Sequence, residues 1–172
     1  MRILLGAMAI SLVAAAAPAS AFEPGAYASI NAGRASISSQ YADDSSDISL
    51  GASLGYQYTS NLGFEFYTRS LSFNPFRGVF QPAGYYPDRH YGIAVLGTAY
   101  LDDHFHLYGR AGVGRTTMES NRSSIGSRDE TDPVVGVGIG YAFNKNWSLN
   151  LEATYLTKTE VNVVSLGARW KF

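Results

Sequence analysis

The chain of 172 residues has no cysteine, which excludes a disulfide framework and thiol chemistry. It is also poor in charge: Asp, Glu, Lys and Arg make up 16% of the residues, against about 25% in a typical soluble domain. After residue 21 there is no long apolar run, so a transmembrane helix, which needs about 20 such residues, is excluded.

The first 21 residues have the pattern of a secretory signal peptide. Arg2 precedes an apolar run at 3–17, and small residues follow at 18–21. We therefore expect cleavage after Ala21 and a single mature domain at 22–172. Loss of Arg2 from the 13 Lys and Arg, against 14 Asp and Glu, gives a net charge of about −2, and we expect no nucleic-acid partner.

The dominant pattern is a strict alternation of apolar residues with small or polar ones. It is clearest at 48–58, 133–143 and 147–155, and a period of two predicts β-strands with unlike faces. Weaker alternation predicts further strands at 26–35, 62–73, 90–101, 105–116 and 162–172. The eight predicted strands are near the length of about 9–11 residues that crosses a membrane at a tilt.

The segments between these strands differ in length in a regular way. Short, Asn- and Asp-rich turns lie at 59–61, 102–104 and 144–146, and a further short connection lies around 158–161. Longer polar or Gly- and Pro-rich segments occupy 36–47, 74–89 and 117–132. This pattern predicts an all-β fold, an eight-stranded antiparallel up-and-down barrel with the long loops at one end and both termini at the other.

Alternation alone does not say which face lines the barrel. Two structures are therefore compatible with it: a secreted lipocalin-like barrel with the apolar face inside, and a transmembrane β-barrel with the apolar face outside. The polar face carries mostly Gly, Ser, Ala, Asn and Gln, which suit a narrow interior better than a water-exposed surface. The apolar face carries aromatic residues at the short-turn end, as a membrane-interface girdle requires. These are Tyr56, Tyr58, Tyr141, Phe143, Trp147, Trp170 and Phe172. Both observations favour the transmembrane barrel.

Three segments also resemble the OmpA/OmpX-like family of small outer-membrane β-barrels. They are "HLYGRAGVGR" at 106–115, "GVGIGYAFNKNWSLNLEATY" at 136–155 and the final "VSLGARWKF". The resemblance implies a monomer in the outer membrane of a Gram-negative cell, in contact with membrane lipid, with both termini in the periplasm and no peptidoglycan-binding domain. It also implies that the terminal aromatic strand, with Trp170 and Phe172, is the assembly signal read by the barrel-insertion machinery.

Six charged residues share the inward parity of their strands. They are Glu65, Arg69, Arg110, Glu152, Arg169 and Lys171. Charges in a narrow interior need partners, so we interpret them as an ion-pair network that fills the lumen. The alternative is the gate of a narrow porin-like channel. The resemblance implies that Arg110 and Glu152, in their "YGRAG" and "LEATY" settings, belong to this network.

Nothing in the sequence indicates catalysis. The resemblance extends to small barrels that edit lipid A, but the deacylase among them needs a His-x-Ser pair, which none of the three histidines provides. We expect His90 to be a residue of the outer rim, and His104 with His106 supply too few ligands to predict a metal. We therefore expect no catalytic residue, no cofactor and no metal, and a structural or surface-interaction role in the cell envelope.

Two groups of residues predict contacts outside the barrel. Arg34, Arg89 and Arg115 have outward parity near the long-loop ends of their strands. Arginine suits lipid phosphates, so we expect lipopolysaccharide contact, with ordinary solvation as the alternative. The segment 72–89 is rich in aromatic residues and proline, which indicates either packing over the barrel mouth or, within 74–89, contact with a host or envelope surface.

Overall fold

The computed structural model describes residues 24–37, 46–73, 85–120 and 128–172. Each of its eight strands pairs antiparallel with the next, and β1 pairs with β8, so the sheet closes into a barrel. The predicted fold class is confirmed. The strands are β1 (Gly25–Ile37), β2 (Ser46–Gln57), β3 (Leu62–Phe73), β4 (Tyr85–Tyr100), β5 (Phe105–Ser120), β6 (Arg128–Ala142), β7 (Trp147–Leu156) and β8 (Val161–Lys171).

The described residues form no helix of a length and hydropathy that would span a membrane.

The strands present apolar side chains outward and small or polar side chains inward. On β7, for example, Leu149 and Leu151 are exposed, whereas Asn150 and Glu152 are buried in the lumen. Because successive side chains of a strand point to opposite faces, the alternation in the sequence decides both surfaces of the wall. An apolar outside around a polar inside is the reverse of a water-soluble barrel and suits a wall that faces lipid.

The predicted tight turns occur at 58–61, 101–104 and 143–146, at what we call the short-turn end. In the second of them, the Asp102 carboxylate accepts hydrogen bonds from the backbone N–H groups of Phe105 and His104, both at 2.7 Å. These two bonds hold the pKa of Asp102 below its ordinary value. β1 begins and β8 ends at this same end of the barrel, because Tyr27 of β1 is opposite Lys171 of β8.

The long connections are shorter than the sequence predicted. The segments 74–89 and 117–132 were expected to be loops, but β4 begins at Tyr85, and β5 and β6 extend through Ser120 and from Arg128. The ladders continue there because backbone hydrogen bonds do not require apolar side chains, and the Thr117 hydroxyl adds a 3.0 Å bond to Asp129 across β5 and β6. Most of the aromatic segment, residues 74–84, lies outside the described residues.

The closing seam between β1 and β8 is tight. Gly33 is opposite Ser165, and a Cβ atom added to Gly33 would lie 2.6 Å from the Ser165 Cα atom. That separation is far below van der Waals contact with a backbone atom that has no room to move. Glycine at this position therefore allows the last strand to approach the first.

Candidate functional site

Four charged side chains from three strands meet in the middle of the lumen. Arg110 of β5 reaches Glu65 of β3, with 2.6 Å between Arg110 Nη2 and Glu65 Oε1, and Glu152 of β7, with 3.3 Å between Arg110 Nη2 and Glu152 Oε2. Arg69 of β3 also contacts Glu152, at 3.3 Å from Nη2 to Oε1. All four residues are buried, with Arg110 the most exposed at 6%. We call them the mid-lumen ion cluster.

The mid-lumen ion cluster balances its own charge, because two guanidinium groups face two carboxylates. Hydroxyl groups add to its hydrogen bonding: Tyr27 donates to Glu65 Oε2 at 3.0 Å, and Thr154 donates to Glu152 Oε1 at 2.6 Å. Buried ions are tolerated when they are paired and hydrogen-bonded in this way. The cluster is therefore a neutral, cross-linked group rather than a set of separate charges.

The three strands that supply the cluster alternate around the wall with strands that carry small inward residues. Gly138 of β6 is opposite both Tyr108 and Glu152. A Cβ atom on Gly138 would lie 2.6 Å from the Tyr108 hydroxyl oxygen and 2.7 Å from the Leu151 carbonyl oxygen. Gly138 thus makes part of the space into which the Tyr108 side chain extends.

Arg169 and Lys171, the other two residues expected in the network, lie toward the short-turn end. The Arg169 guanidinium carbon is 4.4 Å from the centre of the Tyr27 ring and 5.7 Å from that of Tyr108. Arg169 is therefore stacked on aromatic rings, while the described carboxylates Glu65 and Glu152 contact other guanidinium groups. Lys171 lies at the mouth of the barrel.

A second polar chain crosses the lumen nearer the long loops. His90 Nε2 is 2.8 Å from the Tyr67 hydroxyl oxygen, and His90 Nδ1 is 2.9 Å from the Thr116 hydroxyl oxygen. Thr116 in turn donates to Asp132 Oδ2 at 3.4 Å. The expectation that His90 is a rim residue was wrong: it is 1% exposed, because its parity on β4 points it inward and Gly114 of β5, which is opposite Gly92, leaves room for its ring.

Asp132 is a structural residue that the sequence reasoning missed. It is completely buried and accepts hydrogen bonds from the backbone N–H groups of Lys158 and Thr159, at 2.8 and 3.2 Å, and from the Thr159 hydroxyl. It thereby ties the β7–β8 turn to β6. The sequence indicates an inward position, since Asp132 has the same parity as Gly136 and Gly138. Asp132 lies, however, in the segment 117–132, for which the sequence predicts a loop.

The long-loop end of the lumen also holds buried apolar side chains, which the sequence does not predict. The members of this apolar layer are buried to 2% exposure or less: Ala35, Leu71, Val134, Leu156, Val161 and Val163. Below them, a cavity lined in part by Glu152 and Arg169 measures only about 20 Å³, enough for one water molecule. A larger cavity of about 110 Å³ opens at the short-turn end.

The outward arginines do not form one group. Arg89 on β4 and Arg115 on β5 are near each other, since Arg89 is opposite Thr117 and Arg115 is opposite Tyr91. Arg34, on β1, is between Ile48 and Val164 on the far side of the barrel. All three are exposed near the long-loop ends of their strands.

The last strand ends in an aromatic cluster on the outer face. Trp170 and Phe172 are exposed, with ring centres 4.4 Å apart, and the Trp170 ring lies 6.1 Å from that of Trp147 across β7 and β8. His104 stacks on Tyr141 at 5.6 Å in the same region. Among the described residues no group of three or more His, Asp or Glu side chains is placed to hold a metal ion.

Comparison with known proteins gives a consistent result. Residues 5–172 match the model of the outer membrane protein beta-barrel domain family. Outer membrane protein A of Serratia marcescens is 27% identical over 142 residues; the match covers 73% of this chain and 39% of that protein. This chain thus spans about two fifths of the length of the curated relative that it matches.

Solved structures share the fold. Ail, the attachment invasion locus protein of Yersinia pestis, has a TM-score of 0.63 at 18% identity, covering 88% of this chain and 100% of that one. Neisserial surface protein A has a TM-score of 0.63 at 19% identity and the same coverage. A second Ail structure, in complex with the heparin analogue sucrose octasulfate, has a TM-score of 0.59 at 15% identity, again with 88% and 100% coverage.

The charge balance of the mid-lumen ion cluster can be tested by removing one carboxylate. We expect Glu152→Gln to lower the free energy of unfolding by about 3–5 kcal/mol, because two buried guanidinium groups would then share Glu65. The double variant Arg69→Met with Glu152→Met should recover much of that loss, since it restores one ion of each sign. Urea unfolding in detergent micelles, followed by tryptophan fluorescence, measures both.

Glu160→Gln, in the exposed β7–β8 turn, is the matched control and should cost less than about 0.5 kcal/mol. Equal losses from Glu152→Gln and Glu160→Gln would contradict the role of the cluster.

Proposed function

The chain belongs to the outer membrane protein beta-barrel domain family, and from this premise we propose that it is a non-catalytic envelope protein with a closed lumen that acts through its long-loop end. The resemblance to small OmpA/OmpX-like barrels and the outer-membrane setting in a Gram-negative envelope are confirmed. The observation that carries the proposal is the filling of the lumen by the neutral mid-lumen ion cluster and the apolar layer.

A narrow gated channel is the competing function. It would require a water path past the mid-lumen ion cluster when a pair such as Arg69–Glu152 opens. Beyond that pair, the apolar layer still separates the lumen from the long-loop end, and its Val134 and Leu156 side chains are each 1% exposed. This second barrier favours the closed lumen over a gate formed by one ion pair.

Conductance across planar bilayers separates the two functions. We expect no steady conductance from the wild-type barrel, and none from Glu152→Ala, because the apolar layer remains in place in the variant. Arg115→Ala, on the outer face, controls for the loss of a charge. A steady wild-type current, or a current that Glu152→Ala gains and Arg115→Ala does not, would contradict the closed lumen.

The environment of the buried histidine supports a non-catalytic role. Both ring nitrogens of His90 are within hydrogen-bond distance of side-chain hydroxyl oxygens, of Tyr67 and Thr116. A general base needs reach to a substrate proton, and His90 is 1% exposed. It therefore serves to join β3, β4 and β5 across the lumen.

We propose that the short-turn end and both termini lie in the periplasm and that the long-loop end lies outside. The aromatic cluster of Trp147, Trp170 and Phe172 suits the inner interface of the membrane, and the terminal aromatic strand suits recognition by the barrel-insertion machinery. The mature domain begins at residue 22, after removal of the signal peptide, and the protein is a monomer without a cofactor.

Single cysteines test this orientation, because the native chain has none. Lys158→Cys lies in the β7–β8 turn at the long-loop end, and Lys145→Cys lies in the 143–146 turn at the short-turn end; both positions are exposed. A membrane-impermeant maleimide should label Lys158→Cys on intact cells, and Lys145→Cys only after the outer membrane is permeabilised. The reverse pattern would overturn the orientation.

Lipopolysaccharide is the lipid partner at the long-loop end. Arg34, Arg89 and Arg115 are exposed on the outer face near this end, where a long cationic side chain can reach a polar interface. The guanidinium group pairs with phosphate through two parallel hydrogen bonds. Because Arg34 is on the opposite side of the barrel, the three residues form two separate contacts, one at Arg34 and one at Arg89 with Arg115.

The triple variant Arg34→Gln, Arg89→Gln, Arg115→Gln should lose most of the rise in unfolding temperature that lipopolysaccharide gives the wild type. Lys145→Gln, at the short-turn end, should keep the rise, because its charge lies at the other interface. Thermal unfolding in micelles with and without added lipopolysaccharide measures the difference. An equal rise in the wild type and the triple variant would show that these arginines are merely solvated.

The long-loop end is also the surface that meets a host or envelope partner. Ail, which shares the fold, has been crystallised in complex with a heparin analogue, and in this chain β3 ends and β4 begins at the long-loop end, on either side of the segment 74–84. That geometry supports surface contact through 74–89.

A further inference from the structure

The mouth of the barrel at the short-turn end holds a polar cavity of about 110 Å³. Its wall includes the cations Arg169, Lys171 and Lys145, with His106 and amide or hydroxyl side chains between them. No Asp or Glu is among the described residues that line it. The volume is several times the 10–15 Å³ or so that one water molecule needs, so the cavity has room for a small solute.

Arg169 is the innermost of these cations. The Tyr27 ring lies over its guanidinium carbon at 4.4 Å, and contacts of this kind occupy the flat face of the group while its N–H groups point outward in the plane. Within the described part of the barrel, Arg169 Nε is buried and has no hydrogen-bond partner, and the same holds for His106 Nδ1. Two nitrogen atoms near the cavity are thus unsatisfied.

The charge of Arg169 is also uncompensated by the described carboxylates of the lumen. Glu65 contacts Arg110, and Glu152 contacts both Arg110 and Arg69, so the mid-lumen ion cluster is neutral without Arg169. Arg169 is half-buried, and a cation with reduced access to water and no carboxylate partner favours an anion beside it.

We propose that this cavity is a binding site for a phosphate-sized oxyanion, held by the guanidinium of Arg169 and entered from the short-turn end. A guanidinium donates two parallel hydrogen bonds to the oxygens of such an anion. Lys145, in the exposed 143–146 turn, adds positive charge at the entrance, and focusing of this kind draws anions into a cleft. The ligand is a solute of the aqueous phase, because lipid contacts the other face of the wall.

The test records the NMR signals of side-chain N–H groups from the full barrel in lipid nanodiscs. Inorganic phosphate is added to the protein in one titration, and sodium chloride at the same ionic strength is added in the control titration. A third titration with acetate tests a carboxylate as the ligand. We expect phosphate to cause saturable shifts of the Arg169 Nε–H signal and of the indole signal of Trp147, which also lines the cavity.

Arg169→Gln should weaken phosphate binding about tenfold or more, read from the Trp147 indole signal, because a charge-assisted hydrogen bond is lost. Lys158→Gln, in the exposed β7–β8 turn at the other end of the barrel, is the matched control and should bind as the wild type does. Absence of a saturable shift in the wild type overturns the proposal, whether or not Arg169→Gln folds. Equal affinity in Arg169→Gln overturns it too, and tighter binding of acetate than of phosphate would reassign the ligand class.

Discussion

The pairing of β1 with β8 is the constraint on which the rest of the structure depends. It runs from Tyr27 opposite Lys171 to Ile37 opposite Val161, and it removes the two edges that an open sheet would have. In hydrocarbon an unpaired backbone polar group costs several kcal/mol, so only a closed wall is stable there. Closure with eight strands also sets a narrow interior, which has just enough room for side chains.

That narrow interior explains both the glycines and the charges. Several large inward side chains have room because a glycine is opposite, as His106 fits against Gly140 and Tyr27 against Gly55. The charged side chains of the mid-lumen ion cluster neutralise one another, and buried Asp132 accepts hydrogen bonds from backbone N–H groups. Aromatic rings cover the face of Arg169, and no described carboxylate contacts it.

The two ends of the barrel consequently have different physical characters. At the long-loop end, apolar side chains fill the lumen, and Asp132 holds the β7–β8 turn in place from within. At the short-turn end, the lumen is open, polar and positively charged. This difference between the two ends supports the proposed closed lumen, with interactions at the ends of the barrel rather than along its axis.

The number of strands, their faces and the tight turns follow from the sequence alone, because a period of two and an Asn- or Asp-rich turn are local properties of the chain. The sequence also indicated which charges enter the lumen, since parity decides on which side of the wall a residue lies. Tertiary structure alone decided the partners that meet inside the lumen, such as Glu152 for Arg69 and Glu65 for Arg110, and the added length of β4, β5 and β6. Such partners depend on which strands face each other once the barrel closes, and strand length depends on a neighbouring strand that continues the ladder.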